Sequence, residues 1–202
     1  PIDKRQSKTG FDIMLHATDD PSRLKRDYDS EGCVVVDNHE IEEISKSVTL
    51  GITPILVYDK LLPEHLRAEG NPDVNAAFDK WLTAWRAKDL ESYVGSYSGD
   101  FRYNGMNLKQ YKQYKSSLNQ RYSQIQIEAQ NIRFLHHPKY SVVLFTQVYE
   151  SKIKGSRNGF KSNGSKLVYF VKEGDTYRIP YENFSTIPQL SAEQLQRLTT
   201  TR

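Results

Sequence analysis

The sequence predicts a mixed fold in two parts: a strand-rich block with one helix, then an α+β domain. Three observations carry this reading. Up to about residue 62, short apolar or β-branched runs alternate with polar loops and enclose one amphipathic stretch. From Asp73 onward, apolar residues recur at helical spacing and give way after Tyr122 to long strand-like stretches. Between the two, residues 63–72 hold two prolines and a glycine, the composition of a linker. Helices first and antiparallel strands afterwards is the order of an α+β domain.

In the first block, Ile13 to Leu15 reads as a buried strand ending on His16. A polar loop rich in Asp, Pro, Ser and Gly then leads to Cys33 and the run Val34-Val35-Val36. Asp37 caps a helix from about Asn38 to Val48, with Ile41, Ile44 and Val48 on one face. Gly51 ends that helix, and Ile52 to Tyr58 reads as another buried strand.

In the second block, Val74, Ala77, Phe78, Trp81, Leu82 and Trp85 define one strongly amphipathic helix. Trp81 and Trp85 read as its core anchors. Further helices are expected over about Asp89 to Tyr97 and Leu108 to Tyr122. Strands are expected over Ile125 to His136, Tyr140 to Lys152 and Ser165 to Glu173, with a fourth over Tyr177 to Tyr181. Gly155 to Gly164 reads as a long hairpin connection by its turn residues. The organisation is thus 1–62, a linker 63–72, a domain 73–187 and a polar tail 188–202, frayed or weakly helical.

Composition excludes several classes. Lys and Arg total 28 against 25 acidic residues, and a net charge of +3 does not mark a nucleic-acid binder. A single cysteine excludes an internal disulfide framework. No apolar stretch approaches the roughly 20 residues that span a bilayer. Pro1 is neither an initiator Met nor the start of a signal-peptide pattern, so the numbering is expected to begin inside a longer precursor. His136-His137, His39 and His65 lack the spacing of a metal site, and no metal or cofactor is expected. Gly155 to Gly164 lacks the Gly-Lys-Ser/Thr of a phosphate loop. The basic, tyrosine-interleaved span from Arg102 to Arg133 reads as a helix burying Tyr111, Tyr114, Leu118 and Tyr122, with Lys on its solvated side, in preference to a nucleic-acid surface.

One constellation points to chemistry. Cys33 follows Gly32 in Ser30-Glu31-Gly32-Cys33, and His16 ends the preceding apolar run. A cysteine becomes a nucleophile when a histidine takes its proton. Glycine just before it lets the backbone turn sharply, and the Gly32 and Cys33 amides are placed to meet a developing oxyanion. Spacing alone leaves another reading open, in which Cys33 is a small core residue and His16 a satisfied core histidine.

The stretch from Thr9 to Leu56 resembles the C-terminal half of the YkuD-type L,D-transpeptidase domain. The residues that carry the likeness are Leu15-His16-Ala17-Thr18, Ser30-Glu31-Gly32-Cys33-Val34, and the closing run Thr53-Pro54-Ile55-Leu56-Val57. Pro1 to Arg5 with Thr9-Gly10 is similar to the segment that precedes the family's histidine strand. Glu31 stands where the family usually has a second histidine, Val35 where many members have arginine, and Ala17 where glycine is usual. With the second block behind them, these residues are similar to a sub-branch of periplasmic L,D-carboxypeptidases that set cell shape. Those enzymes carry a cone-shaped, nuclear-transport-factor-2-like domain.

The resemblance implies a partial YkuD-like β-sandwich followed by that cone, and a thiol peptidase acting on peptidoglycan stem peptides. Cys33 is the implied nucleophile, His16 the base, the Ala17 carbonyl the orienting group, and Gly32 an oxyanion donor. Ser30 and Glu31 are implied at the substrate. Hydrolysis would make the enzyme an L,D-carboxypeptidase, and attack by a neighbouring stem-peptide amine a transpeptidase. A chain starting at Pro1 would hold only part of the catalytic domain, which keeps a third reading open: a non-catalytic module whose second-domain pocket binds glycan, wall polymer or a protein. The implied compartment is the periplasm.

Overall fold

The computed structural model describes residues 13–26, 30, 32–48, 53, 55–58, 60–63 and 70–186. The chain divides into two compact units, with the boundary between Ile55 and Leu56. Of the expected segments, Glu31, the linker residues 64–69 and the polar tail lie outside the described residues.

In the first unit, β1 (Leu15–His16) pairs in parallel with β2 (Val34–Val35), Leu15 opposite Val34 and His16 opposite Val35. The Val34 amide donates to the Met14 carbonyl at 2.9 Å and the Val36 amide to the His16 carbonyl at 3.0 Å. A 3-10 turn, Pro21–Lys25, lies between the strands, and the Asp20 carboxylate accepts the Ser22 amide at 2.9 Å to start it. Helix α1 (Asn38–Ser47) opens with a capping box: Asp37 accepts the His39 amide at 2.8 Å, and Glu40 reaches back to the Asp37 amide.

Two expected strands differ. The first is only two residues long, and Ile13 and Met14 ahead of it are more than half exposed. Thr53 and Ile55 to Tyr58 form no strand, and Ile55, Leu56 and Val57 are exposed. An apolar run specifies a surface that favours burial, but the ladder also needs a neighbouring strand: β2 meets just the end of the first run, and among the described residues no strand pairs with Thr53 or Ile55 to Tyr58.

The second unit begins with α2 (Pro72–Ala87). The Asn71 side chain accepts the Asp73 amide at 2.9 Å and Pro72 occupies the first turn, where its missing N–H costs nothing. Lys88 ends the helix in the left-handed region, φ 57°. Helix α3 (Leu90–Val94) is shorter than expected, because Tyr97 leaves it to bridge Ile179 in parallel. A hairpin of β3 (Arg102–Tyr103) and β4 (Met106–Asn107) follows, turning through Asn104 and Gly105, both at positive φ. Helix α4 (Leu108–Arg121) opens with a reciprocal Asn107–Gln110 capping box, 3.0 Å each way.

Four long strands, β5 (Tyr122–His137), β6 (Tyr140–Ile153), β7 (Gly159–Glu173) and β8 (Thr176–Thr186), form one antiparallel sheet in sequence order. A bulge between Gln130 and Arg133, with Asn131 at φ 53°, interrupts the β5 register. The apolar face of α2 packs on this sheet: Val74, Phe78 and Trp81 join Val143, Phe145, Val168 and Phe170 in one cluster, all essentially without exposure. Burying such aromatic side chains is worth several kcal/mol each.

The expected long connection at Gly155 to Gly164 is a short turn over residues 154–158, and Gly159 to Gly164 belong to β7. Gly159 and Gly164 serve close backbone approach. A Cβ on Gly159 would lie 2.0 Å from the Ser151 carbonyl oxygen, and one on Gly164 2.3 Å from that of Ser185. Gly159→Ala is therefore expected to lower the urea midpoint and weaken amide protection in the β6–β7 ladder. Unchanged protection there would contradict this account.

Candidate functional site

Two places concentrate polar chemistry, one in each unit. In the first, strand register sets the geometry. Side chains alternate along a strand, so Cys33, two residues ahead of Val35, shares the side of the ladder that His16 occupies. Both residues are half-buried. His16 Nδ1 lies 2.6 Å from the Ala17 carbonyl oxygen. A carbonyl can only accept, so Nδ1 carries the proton and the Nε2 lone pair is left to take one.

The loop before Cys33 is fixed from two directions. The Ser30 hydroxyl donates to the Cys33 carbonyl at 2.6 Å, which commits that hydroxyl to the loop. Gly32 sits at φ 112°, and a Cβ there would lie 2.7 Å from Ile13 Cδ1. The Val34 amide is spent on the Met14 carbonyl at 2.9 Å. Glu31 lies outside the described residues.

The second place is a cavity of about 490 Å³ in the second unit, with walls that include Trp85, Tyr93, Tyr111, Tyr149 and Phe160. Glu182 and Lys166 form an ion pair inside it at 2.8 Å, with both side chains almost fully buried. The Glu182 carboxylate also accepts Tyr97 O–H at 2.9 Å and Tyr111 O–H at 3.1 Å. Burial alone would raise the Glu182 carboxyl; the charge and hydrogen bond of Lys166, with Lys115 and Tyr97, outweigh it and hold the group below its ordinary value. Burial first, then the charge of Glu182, push the Tyr93, Tyr97 and Tyr111 phenols well up. The Lys115 ammonium lies 4.7 Å from the Trp85 ring centroid and 4.6 Å from that of Tyr93. Burial pulls Lys115 down to about 8, against Glu182, which raises it, and with Lys166, which lowers it further.

The expected site residues His16, Ala17, Ser30, Gly32 and Cys33 fall together around one two-strand ladder. The second cavity was not anticipated as a charged one. Lys115 was expected on the solvated side of its helix; its ammonium instead faces the rings, and Tyr114 is the residue turned outward. The signals were present. Lys166 keeps phase with Val168 and Phe170 on the inward face of β7, Gln147 with Val143 and Phe145 on β6, and Lys115 with Tyr111 on α4. A charge or amide in phase with core residues marks a polar group carried inward.

Gly32→Ala is expected to distort the Cys33 loop, since the new side chain meets both the left-handed backbone cost of about 1–2 kcal/mol and the Ile13 contact. Thiol labelling of Cys33 should change in rate, and an unchanged rate would argue against the constraint. Glu182→Gln leaves Lys166 facing no charge and is expected to cost about 3–5 kcal/mol at neutral pH. The folded carboxyl lies below its unfolded value near 4.5, so its contribution is complete above that pH and fades as pH falls toward the folded value. Urea midpoints of parent and variant should therefore converge in acid.

Residues 1–57 match the L,D-transpeptidase catalytic domain family, YkuD. Residues 73–183, more than half of the chain, match the Cds6 C-terminal NTF2-like domain. Bd1075 from Bdellovibrio bacteriovorus is similar over 94% of this chain and 66% of its own, at 30% identity and TM-score 0.69. The helical cell shape determining protein Pgp2 from Campylobacter jejuni is similar over 90% of this chain and 64% of its own, at 19% identity and TM-score 0.56, a likeness of fold. The chain thus spans just under two thirds of the length of these relatives. No curated protein gives a significant sequence match. The chain belongs, through residues 73–183, to the Cds6 C-terminal NTF2-like domain family, and its residues 1–57 are similar to the YkuD L,D-transpeptidase catalytic domain.

Proposed function

We propose that the protein is a peptidoglycan L,D-carboxypeptidase that removes the terminal D-alanine of tetrapeptide stems through a thioester on Cys33. The observation that carries this reading is the His16 Nδ1 bond to the Ala17 carbonyl, on a strand in register with the segment that bears Cys33. The YkuD match over residues 1–57 and the 30% identity to Bd1075 support it.

Nε2 of His16 takes the thiol proton, and Sγ of Cys33 attacks the carbonyl that precedes the terminal D-alanine. The Gly32 and Cys33 amides meet the oxyanion of the tetrahedral intermediate. As the C–N bond breaks, the imidazolium returns its proton to the leaving amine of D-alanine. Water, deprotonated by the same imidazole, then opens the thioester, and the stem leaves as a tripeptide. The substrate lies in the cell wall, so the proposed compartment is the periplasm. Opening of the thioester by the side-chain amine of a second stem would give a cross-link, the transpeptidase outcome.

The test is incubation of the full-length protein with disaccharide tetrapeptide, followed by mass spectrometry. Loss of one D-alanine is expected, with no turnover in Cys33→Ala and a fall in kcat of about 100-fold or more in His16→Ala. A cross-linked dimer would replace hydrolysis by transpeptidation. Full turnover by Cys33→Ala would end the thioester reading.

A further inference from the structure

The cavity of the second unit has the features of a built ligand site independent of the Cys33 chemistry. Its charges do not balance internally. Three cations, Lys115, Lys166 and Arg121, face one carboxylate, Glu182. Lys166 and two tyrosine hydroxyls already satisfy that carboxylate, and among the described residues no carboxylate pairs with Lys115. The Lys115 ammonium is held instead against the rings of Trp85 and Tyr93, a contact worth only about 0.5–2 kcal/mol and far short of full hydration.

A second observation is independent of charge. Gln147 lines the same cavity and is almost completely buried, yet its Oε1 has no hydrogen-bond partner. An unmet buried acceptor costs about 1–3 kcal/mol, so its place on the wall marks where a ligand's N–H or O–H would arrive. The volume, about 490 Å³, suits a small organic molecule, and the aromatic rings offer flat faces.

We propose that this cavity binds a small organic carboxylate with a ring body whose face can lie on aromatic side chains, its carboxylate at Lys115, its ring against the aromatic wall and a donor group on Gln147. A bare inorganic anion would leave the rings and Gln147 unmet, and a cation would meet the surplus positive charge. Aromatic acids and sugar acids share the required chemistry.

The experiment titrates the full-length protein with 4-hydroxyphenylacetate and with D-glucuronate, each beside its neutral amide, by tryptophan fluorescence and calorimetry. At least one acid should bind saturably and about tenfold or more tighter than its amide, as loss of a charge-assisted contact requires. Whichever acid binds tells whether the ring is aromatic or a sugar. Lys115→Met should weaken that acid about tenfold, and Gln147→Leu should weaken acid and amide alike, both variants retaining a cooperative thermal transition. Saturation by neither acid, equal binding of acid and amide, or unchanged affinity in folded Lys115→Met would overturn the proposal. Each readout is separate from D-alanine release, so failure of one proposal leaves the other standing.

Discussion

The second unit is organised around a carboxylate that cannot reach water. Glu182 is buried on β8, and an isolated ion there would cost several kcal/mol. Every group that faces it answers that cost. Lys166 from β7 supplies the opposite charge, Tyr97 supplies a hydroxyl from the segment after α3, and Tyr111 supplies another from α4. Three separate stretches of chain thus converge on one side chain. That convergence explains why α3 stops early. Tyr97 must leave the helix to reach Glu182, and the backbone of Ser96 and Ser98 brackets Ile179 on β8 while it does so.

Proton accounting shows how tightly this network is specified. Tyr97 and Tyr111 each donate their one proton to Glu182, which can only accept. Their oxygens are then left to accept, and Tyr97 takes the indole N–H of Trp81 at 2.9 Å. The single Tyr93 proton lies between Tyr97, at 2.6 Å, and Tyr111, at 3.0 Å. A charge on Glu182 therefore fixes the direction of the Tyr97 and Tyr111 hydroxyls and ties the core tryptophan of α2 into the cluster. Buried polar networks of this kind specify one packing, because a shift in any member leaves a donor or acceptor unmet.

Much of this architecture could be read from the chain, for stated physical reasons. The helix over α2 was legible because its apolar residues repeat at 3.6-residue spacing, whereas Asn71 and Pro72, read as linker, are its cap and first turn. The long strands were legible from their β-branched and aromatic content. Three things were not. The β3–β4 hairpin is only two residues a side and was passed over, although Asn104-Gly105 is a strong turn signal. The glycines at 159 and 164 looked like turn residues, yet their lack of a side chain serves strand contact. The charged cavity was hidden because Lys115, Lys166 and Glu182 look like solvated charges until their phase with core neighbours is counted. The His16 and Cys33 motif was visible as a pattern, whereas the strand expected over Ile52 to Tyr58 rested on hydropathy alone, and Ile55, Leu56 and Val57 are exposed.

The orienting group of the proposed dyad has a consequence for its chemistry. A backbone carbonyl, here that of Ala17, fixes the His16 tautomer as a carboxylate would, but it carries no charge to stabilise the imidazolium that forms. Such an orienting group suits a nucleophile that surrenders its proton readily. A thiol does so far more easily than a hydroxyl. The carbonyl also explains why Ala17 is tolerated where glycine is usual in the resembling family: the contact uses main-chain atoms, and a methyl group leaves them in place. What the site does demand of its side chains falls on Gly32, whose φ of 112° and contact with Ile13 leave no room for a Cβ. The dyad is thus specified less by the identity of its neighbours than by the path of the backbone through them.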